Sequence, residues 1–269
     1  MRRTFLFAKR NFLEILRDPI VYIFCLGFPL VMIALFEAIT YFAGENAQLN
    51  VFELPSLIPG IVMFSFSFVM LTESLLVAKD RTTAFLIRLY TSPIQSSEFV
   101  LGYAIPAFVI GVIQEIICIL FGWFFALIFR QAYFPFASAC LLALEMLPIL
   151  ITMIFFGIFF GTVLNDKSAP GVTSVIISLS GILGGAWMPL DAMGGFEVFC
   201  RFLPFYPSVY IGRVITGAKH SVDYATMQAT IYSFDQTAVL GIIPIVVFLA
   251  LGIVLAVIAF TKGRCSDRK

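Results

Sequence analysis

The sequence predicts an all-α integral membrane protein with six transmembrane helices, and three observations carry that prediction. Hydrophobic residues fill 61% of the 269 positions, charged residues only 12%, and the mean hydropathy is +1.02. Soluble domains carry about a quarter charged residues. Apolar runs near 20–42, 57–78, 100–129, 138–164, 170–189 and 239–261 each reach the ~20 residues that take a helix across ~30 Å of hydrocarbon. Stretches such as Ile116 to Phe129 lack the alternation of a membrane β-strand, so helices remain as the way to satisfy the backbone in lipid.

The chain, 1–269, is expected to be a single transmembrane domain. Residues 1–18 come first. Wound as a helix, they gather Arg3, Arg10, Glu14 and Arg17 on one side and Phe5, Phe12, Ile15 and Leu16 on another, the pattern of a helix lying in the membrane interface. The alternative is a basic flank that only sets orientation. Asp18-Pro19 ends the segment, because proline restricts the residue before it and can open the next helix. The first apolar run is too long for a signal-peptide core, so it is expected to be retained.

Basic residues then orient the spans. Arg2, Arg3, Lys9, Arg10 and Arg17, the loop residues Lys79, Arg81 and Arg88, Lys167, and the tail residues Lys262, Arg264, Arg268 and Lys269 share one side. The other side holds Arg130, Arg201, Arg213 and Lys219, although its loop over 190–238 is the longest. Positive residues concentrate on the cytoplasmic side, so both termini are expected there, in a plasma membrane. In the long outer segment, Gly184-Gly185, Gly194-Gly195, Pro204 and Pro207 break up short apolar pieces that carry Trp187, Tyr206 and Tyr210. Pieces too short to span and too apolar for water are expected as short re-entrant or interfacial helices between spans five and six.

Several chemistries are missing from the sequence. No GxxxxGK[ST] phosphate loop is present, so any nucleotide energy must come from another subunit. There is no HExxH and no metal-ligand spacing of His or Cys. The single histidine, His220, reads as a solvated loop residue, and no metal or catalytic residue is assigned. The net charge of +1 gives no sign of nucleic acid binding.

Polar groups inside the spans are the next candidates. Glu37, Glu73, Glu115 beside Gln114, and Glu145 fall within apolar runs, with no basic residue at their depth. A lone carboxylate in hydrocarbon is costly, so each must be neutralised, hydrated or hydrogen-bonded across helices. They are candidates for the substrate path. Counting along the runs puts Glu37 and Glu145 in the outer third, Glu73 near the inner end and Glu115 near the middle.

Between spans two and three lies the charged amphipathic segment 79–94. Wound as a helix it sets Arg81, Ala84 and Arg88 opposite Leu86, Leu89 and Tyr90, with Thr91-Ser92-Pro93 closing it. Asp80-Arg81, Ala84-Phe85-Leu86, Arg88-Leu89 and Ser92-Pro93-Ile94 resemble the corresponding loop of ABC-2 type transporter membrane subunits. Leu179-Ser180-Gly181, Trp187-Met188-Pro189-Leu190 and Leu203-Pro204-Phe205-Tyr206-Pro207-Ser208 resemble the string that joins span five to the outer helices in that family. Ala84 departs from the family's usual glycine and favours a continuous helix.

The resemblance implies a permease subunit of an ATP-binding cassette exporter, with no ATPase site or cofactor of its own. Its partners would be a separate ATP-binding cassette subunit holding Mg-ATP, a second permease subunit and membrane lipid. Asp80, Arg81, Phe85, Arg88 and Leu89 would touch the ATPase, and the cargo would be apolar or amphipathic, drug-like, lipid-linked or peptide-like. The alternative is a proton-coupled secondary transporter using the intramembrane glutamates.

Overall fold

The computed structural model describes residues 2–43, 52–83, 95–129, 133–188, 190–220 and 230–266. Among them the chain is helical, with no strand and one isolated bridge between Lys219 and Ile231. The amphipathic N-terminal segment forms α1, Arg2–Arg17. Its apolar residues divide between two surfaces: Phe5 and Leu6 are exposed, while Phe7, Ala8 and Ile15 are buried. Phe7 is edge-on to Phe99 and Tyr103, and it lies where a Cβ on Gly102 would sit, so that glycine lets α1 seat directly on its neighbour.

After a short turn, Pro19–Val21, the first span widens into a π-helical stretch, Tyr22–Gly27, before α2, Phe28–Ala43. The Phe28 N–H reaches back to the Ile23 carbonyl, the five-residue spacing of a π turn, just before Pro29, which has no N–H to give. Then come α3, Leu54–Thr82, and α4, Ser96–Phe129. Gln95 and Glu98 start α4 as a capping pair, the Glu98 carboxylate accepting the Gln95 N–H at 3.1 Å.

The fourth span is broken into α5, Phe136–Glu145, and α6, Leu147–Val163, at Met146. Pro148 explains the break, since it cannot donate to the carbonyl four residues earlier. Five stretches are long and apolar enough to cross a membrane: Tyr22–Phe42, Leu54–Thr82, Ser96–Phe129, Phe136–Val163 and Gln236–Lys262. The expected fifth span is shorter than predicted. Its helix α7 covers only Ala169–Leu183, about 22 Å at ~1.5 Å per residue. Hydropathy continues to residue 189, but Gly185 adopts φ +64° and turns the chain back, so that Ala186 is buried against Gly60 of α3.

The short helices expected after it are present as α8, Gly195–Cys200, and α9, Phe205–Thr216. Gly217 stops α9 at φ +71°, and α10, Gln236–Ser266, completes the bundle. At ~18 Å, α9 cannot cross a bilayer; it is mostly buried and packs on α3, α5 and α10 at the end opposite α1.

The centre of the bundle is α3, with 83% of its apolar window buried against 17% for α10. Its most extensive partner is α6. Gly157 and Gly161, one turn apart on α6, make that contact possible: a Cβ on either would lie 2.6 Å from a carbonyl oxygen of α3, that of Met70 or Ser74. This is the small-xxx-small packing of membrane helices, where close backbone approach supplies the dispersion energy that lipid does not.

Candidate functional site

At the α1 end, three helices meet on one carboxylate. Asp80, in the last turn of α3, is 1% exposed. The Arg10 guanidinium grips it in a two-pronged pair, Nη1 to Oδ2 at 2.6 Å and Nη2 to Oδ1 at 2.9 Å, and the Tyr103 hydroxyl of α4 donates to Oδ2 at 2.8 Å. Glu14 extends the network by pairing with Arg10 at 2.6 Å and Lys79 at 2.9 Å. Asn11 donates to the Gly102 carbonyl at 3.1 Å. Burial opposes the Arg10 charge, but the hydrogen bond and attraction to Asp80, and then Glu14, outweigh it and hold the guanidinium above its ordinary value. Arg81, next along, donates to the carbonyls of Thr162 and Leu164 and ties α3 to the end of α6.

Of the residues expected to meet the ATPase, Asp80 has its carboxylate turned into the protein and occupied by Arg10 and Tyr103. The periodicity of 79–94 could not reveal this, because the partners come from residues 10 and 103. Phe85, Arg88 and Leu89 lie outside the described residues. A cleft of about 770 Å³ opens beside the clamp, between α1 and α3, with Leu13, Arg17, Val21, Thr72, Leu76 and Asp166 among its walls.

The intramembrane polar residues separate into distinct places. Glu73 is fully buried, with its Cβ against Gly157 and its oxygens without a hydrogen-bond partner among the described residues. Glu37 is also buried without a partner, next to Phe36, whose ring stacks on Phe52 at 4.7 Å. Gln114 donates to the Ser65 carbonyl at 3.0 Å, which leaves its own oxygen unpartnered.

Glu115 and Glu145 lie on neighbouring helices, α4 and α5. Trp123 and Phe136 approach to 6.1 Å, and a Cβ on Gly111 would meet Leu150, which registers α4 against α5 and α6 on both sides of the two carboxylates. Glu115 lies ~12 Å from Trp123 along α4, and Glu145 ~14 Å from Phe136 along α5, so they are level. Glu145 is within electrostatic range of Glu115.

The far end holds residues whose roles the sequence did not expose. Arg213, 1% exposed, donates from Nε to Ser56 at 3.1 Å and from Nη2 to Gly185 at 2.7 Å, pinning α9 to α3 and to the turn after α7. Thr216 adds a bond to the Pro55 carbonyl at 2.5 Å. An arginine inside the apolar stretch from Pro207 to Gly217 was the available signal. His220 is not a freely solvated loop residue: its ring stacks on Tyr232 at 3.6 Å and its Nδ1 lies 3.1 Å from Asp191. Burial, with Asp191 adding to it and Arg213 opposing, pushes the Tyr232 phenol up to about 12, so the ring stays neutral.

A helical bundle with five stretches able to cross a membrane, the basic helix α1 clamped at one end and a buried short helix at the other, defines a multi-pass membrane protein. The profile of the ABC-2 type transporter family matches residues 2–216, ending with α9. The chain belongs to that family, as a permease subunit of an ABC transporter. No curated protein matches it.

Proposed function

We propose that this subunit forms, with a second copy or a related permease, the path of an exporter for apolar or amphipathic cargo, powered by Mg-ATP on separate ATP-binding subunits. The basic end would face the cytoplasm at the plasma membrane, as the charge bias supports. Segment 79–94 would seat in a groove of the ATPase, as amphipathic helices do.

The observation that carries this reading is the Asp80 clamp. It joins α1, α3 and α4 immediately before the segment expected to meet the partner, so a push there reaches three helices together. ATP acts by binding more tightly when the permease is in one of its two states than in the other.

The test is reconstitution of the chain with its ATPase in proteoliposomes, with Arg88→Glu combined with Leu89→Asp. Transport and co-purification of the ATPase should both be lost while the variant folds. A variant that retains both would refute coupling through this segment, and uptake driven by a proton gradient without ATP would favour the secondary-transporter reading.

A further inference from the structure

We propose that Glu115 and Glu145 form a binding site for the single positive charge of an amphipathic ammonium cargo, resting on the export reading above. A buried carboxylate, Glu115, and a half-buried one, Glu145, lie level on neighbouring helices, and neither feels a cationic side chain among the described residues. Glu115 is fully buried with both oxygens unpartnered, and the Oε2 of Glu145 is buried and unpartnered too.

The chemistry of the site selects the ligand. Hard divalent ions take six or more oxygen ligands, and no group of three or more candidate metal-binding side chains exists among the described residues. The site instead offers two carboxylates within apolar walls, which suits one charge bearing alkyl groups. Access is lateral: Leu141 and Leu144, on the same short helix as Glu145, are both exposed.

The test is equilibrium binding of dodecyltrimethylammonium to the purified chain in nanodiscs, corrected for empty discs, with dodecyl sulfate as the probe of opposite charge. No ATPase is present, so the result is independent of coupling; loss of ATP-driven transport in the Arg88 and Leu89 variant would leave this binding intact. Glu115→Gln and Glu145→Gln should each weaken dodecyltrimethylammonium binding, and the double variant should weaken it at least tenfold, with dodecyl sulfate unaffected. Both substitutions preserve shape, and an unchanged melting temperature verifies the fold. Wild-type affinity in a folded double variant overturns the proposal. So does equal loss of both probes, since that loss would come from apolar packing and not from charge.

Discussion

Replacing Asp80 by alanine removes the acceptor on which α1, α3 and α4 converge, and the structure sets the size of the effect. Three hydrogen bonds of 2.6, 2.9 and 2.8 Å end on this carboxylate. Breaking a fully buried ion pair by removing one partner costs about 3–5 kcal/mol. That figure must be reduced here: the Arg10 side chain is 35% exposed, so it can rehydrate, and it keeps Glu14 at 2.6 Å. The Tyr103 hydroxyl is buried and loses its acceptor, at about 1–3 kcal/mol. A net loss of about 3 kcal/mol follows. Thermal and denaturant unfolding of the detergent-solubilised protein measures it, and a double-mutant cycle with Arg10→Ala should return a coupling above ~1 kcal/mol between the two positions. Asp80→Asn keeps one acceptor and should fall between the wild type and alanine. A stability change below ~0.5 kcal/mol for Asp80→Ala, or zero coupling to Arg10, would refute the clamp.

Gly157→Val should separate α6 from α3, because even a Cβ would sit 2.6 Å from the Met70 carbonyl; overpacking of this kind costs about 1–3 kcal/mol, readable as a lowered melting temperature. Arg213→Met should loosen α9 by leaving the Ser56 and Gly185 carbonyls without their donor, and faster hydrogen exchange in 205–216 would report it. Asp235 precedes α10 and accepts the N–H groups of Thr237 and Ala238 at 3.0 and 3.2 Å, so Asp235→Ala should cost about 1 kcal/mol as a lost helix cap. Burial pushes the Asp235 carboxyl up, but the Ala238 N–H, the Tyr210 hydroxyl and the Thr237 N–H together bring it below its ordinary value of 3.8. Its contribution is therefore complete above that pH and is lost as acid takes the pH down through the lowered value. A stability profile below pH ~4 that is equally steep in wild type and Asp235→Ala would contradict this.

Within the candidate sites, what could be read early depended on where the partners lie. Glu37, Glu73, Glu115 and Glu145 stood out because a carboxylate in an apolar run is conspicuous by its neighbours in sequence. Their grouping was not legible. Counting residues from a run's edge put Glu145 in the outer third, whereas contacts of Trp123 with Phe136 and of Gly111 with Leu150 set it level with Glu115. Gly157 and Gly161 stand four apart in the sequence, but only the α3 backbone against them gives that spacing meaning.

The sequence by itself determined the membrane class, the helical fold, the amphipathic helix α1 and the short helices after the fifth apolar run. These follow from hydrophobic length, charge distribution and breakers, which act within a window of the chain. Tertiary structure alone decided that Asp80 faces inward, that α7 stops at 183 with Ala186 packed against Gly60, and that Glu115 and Glu145 lie level. Each depends on groups far apart in sequence, joined by the angle and register at which helices pack, and one-dimensional hydropathy carries neither quantity.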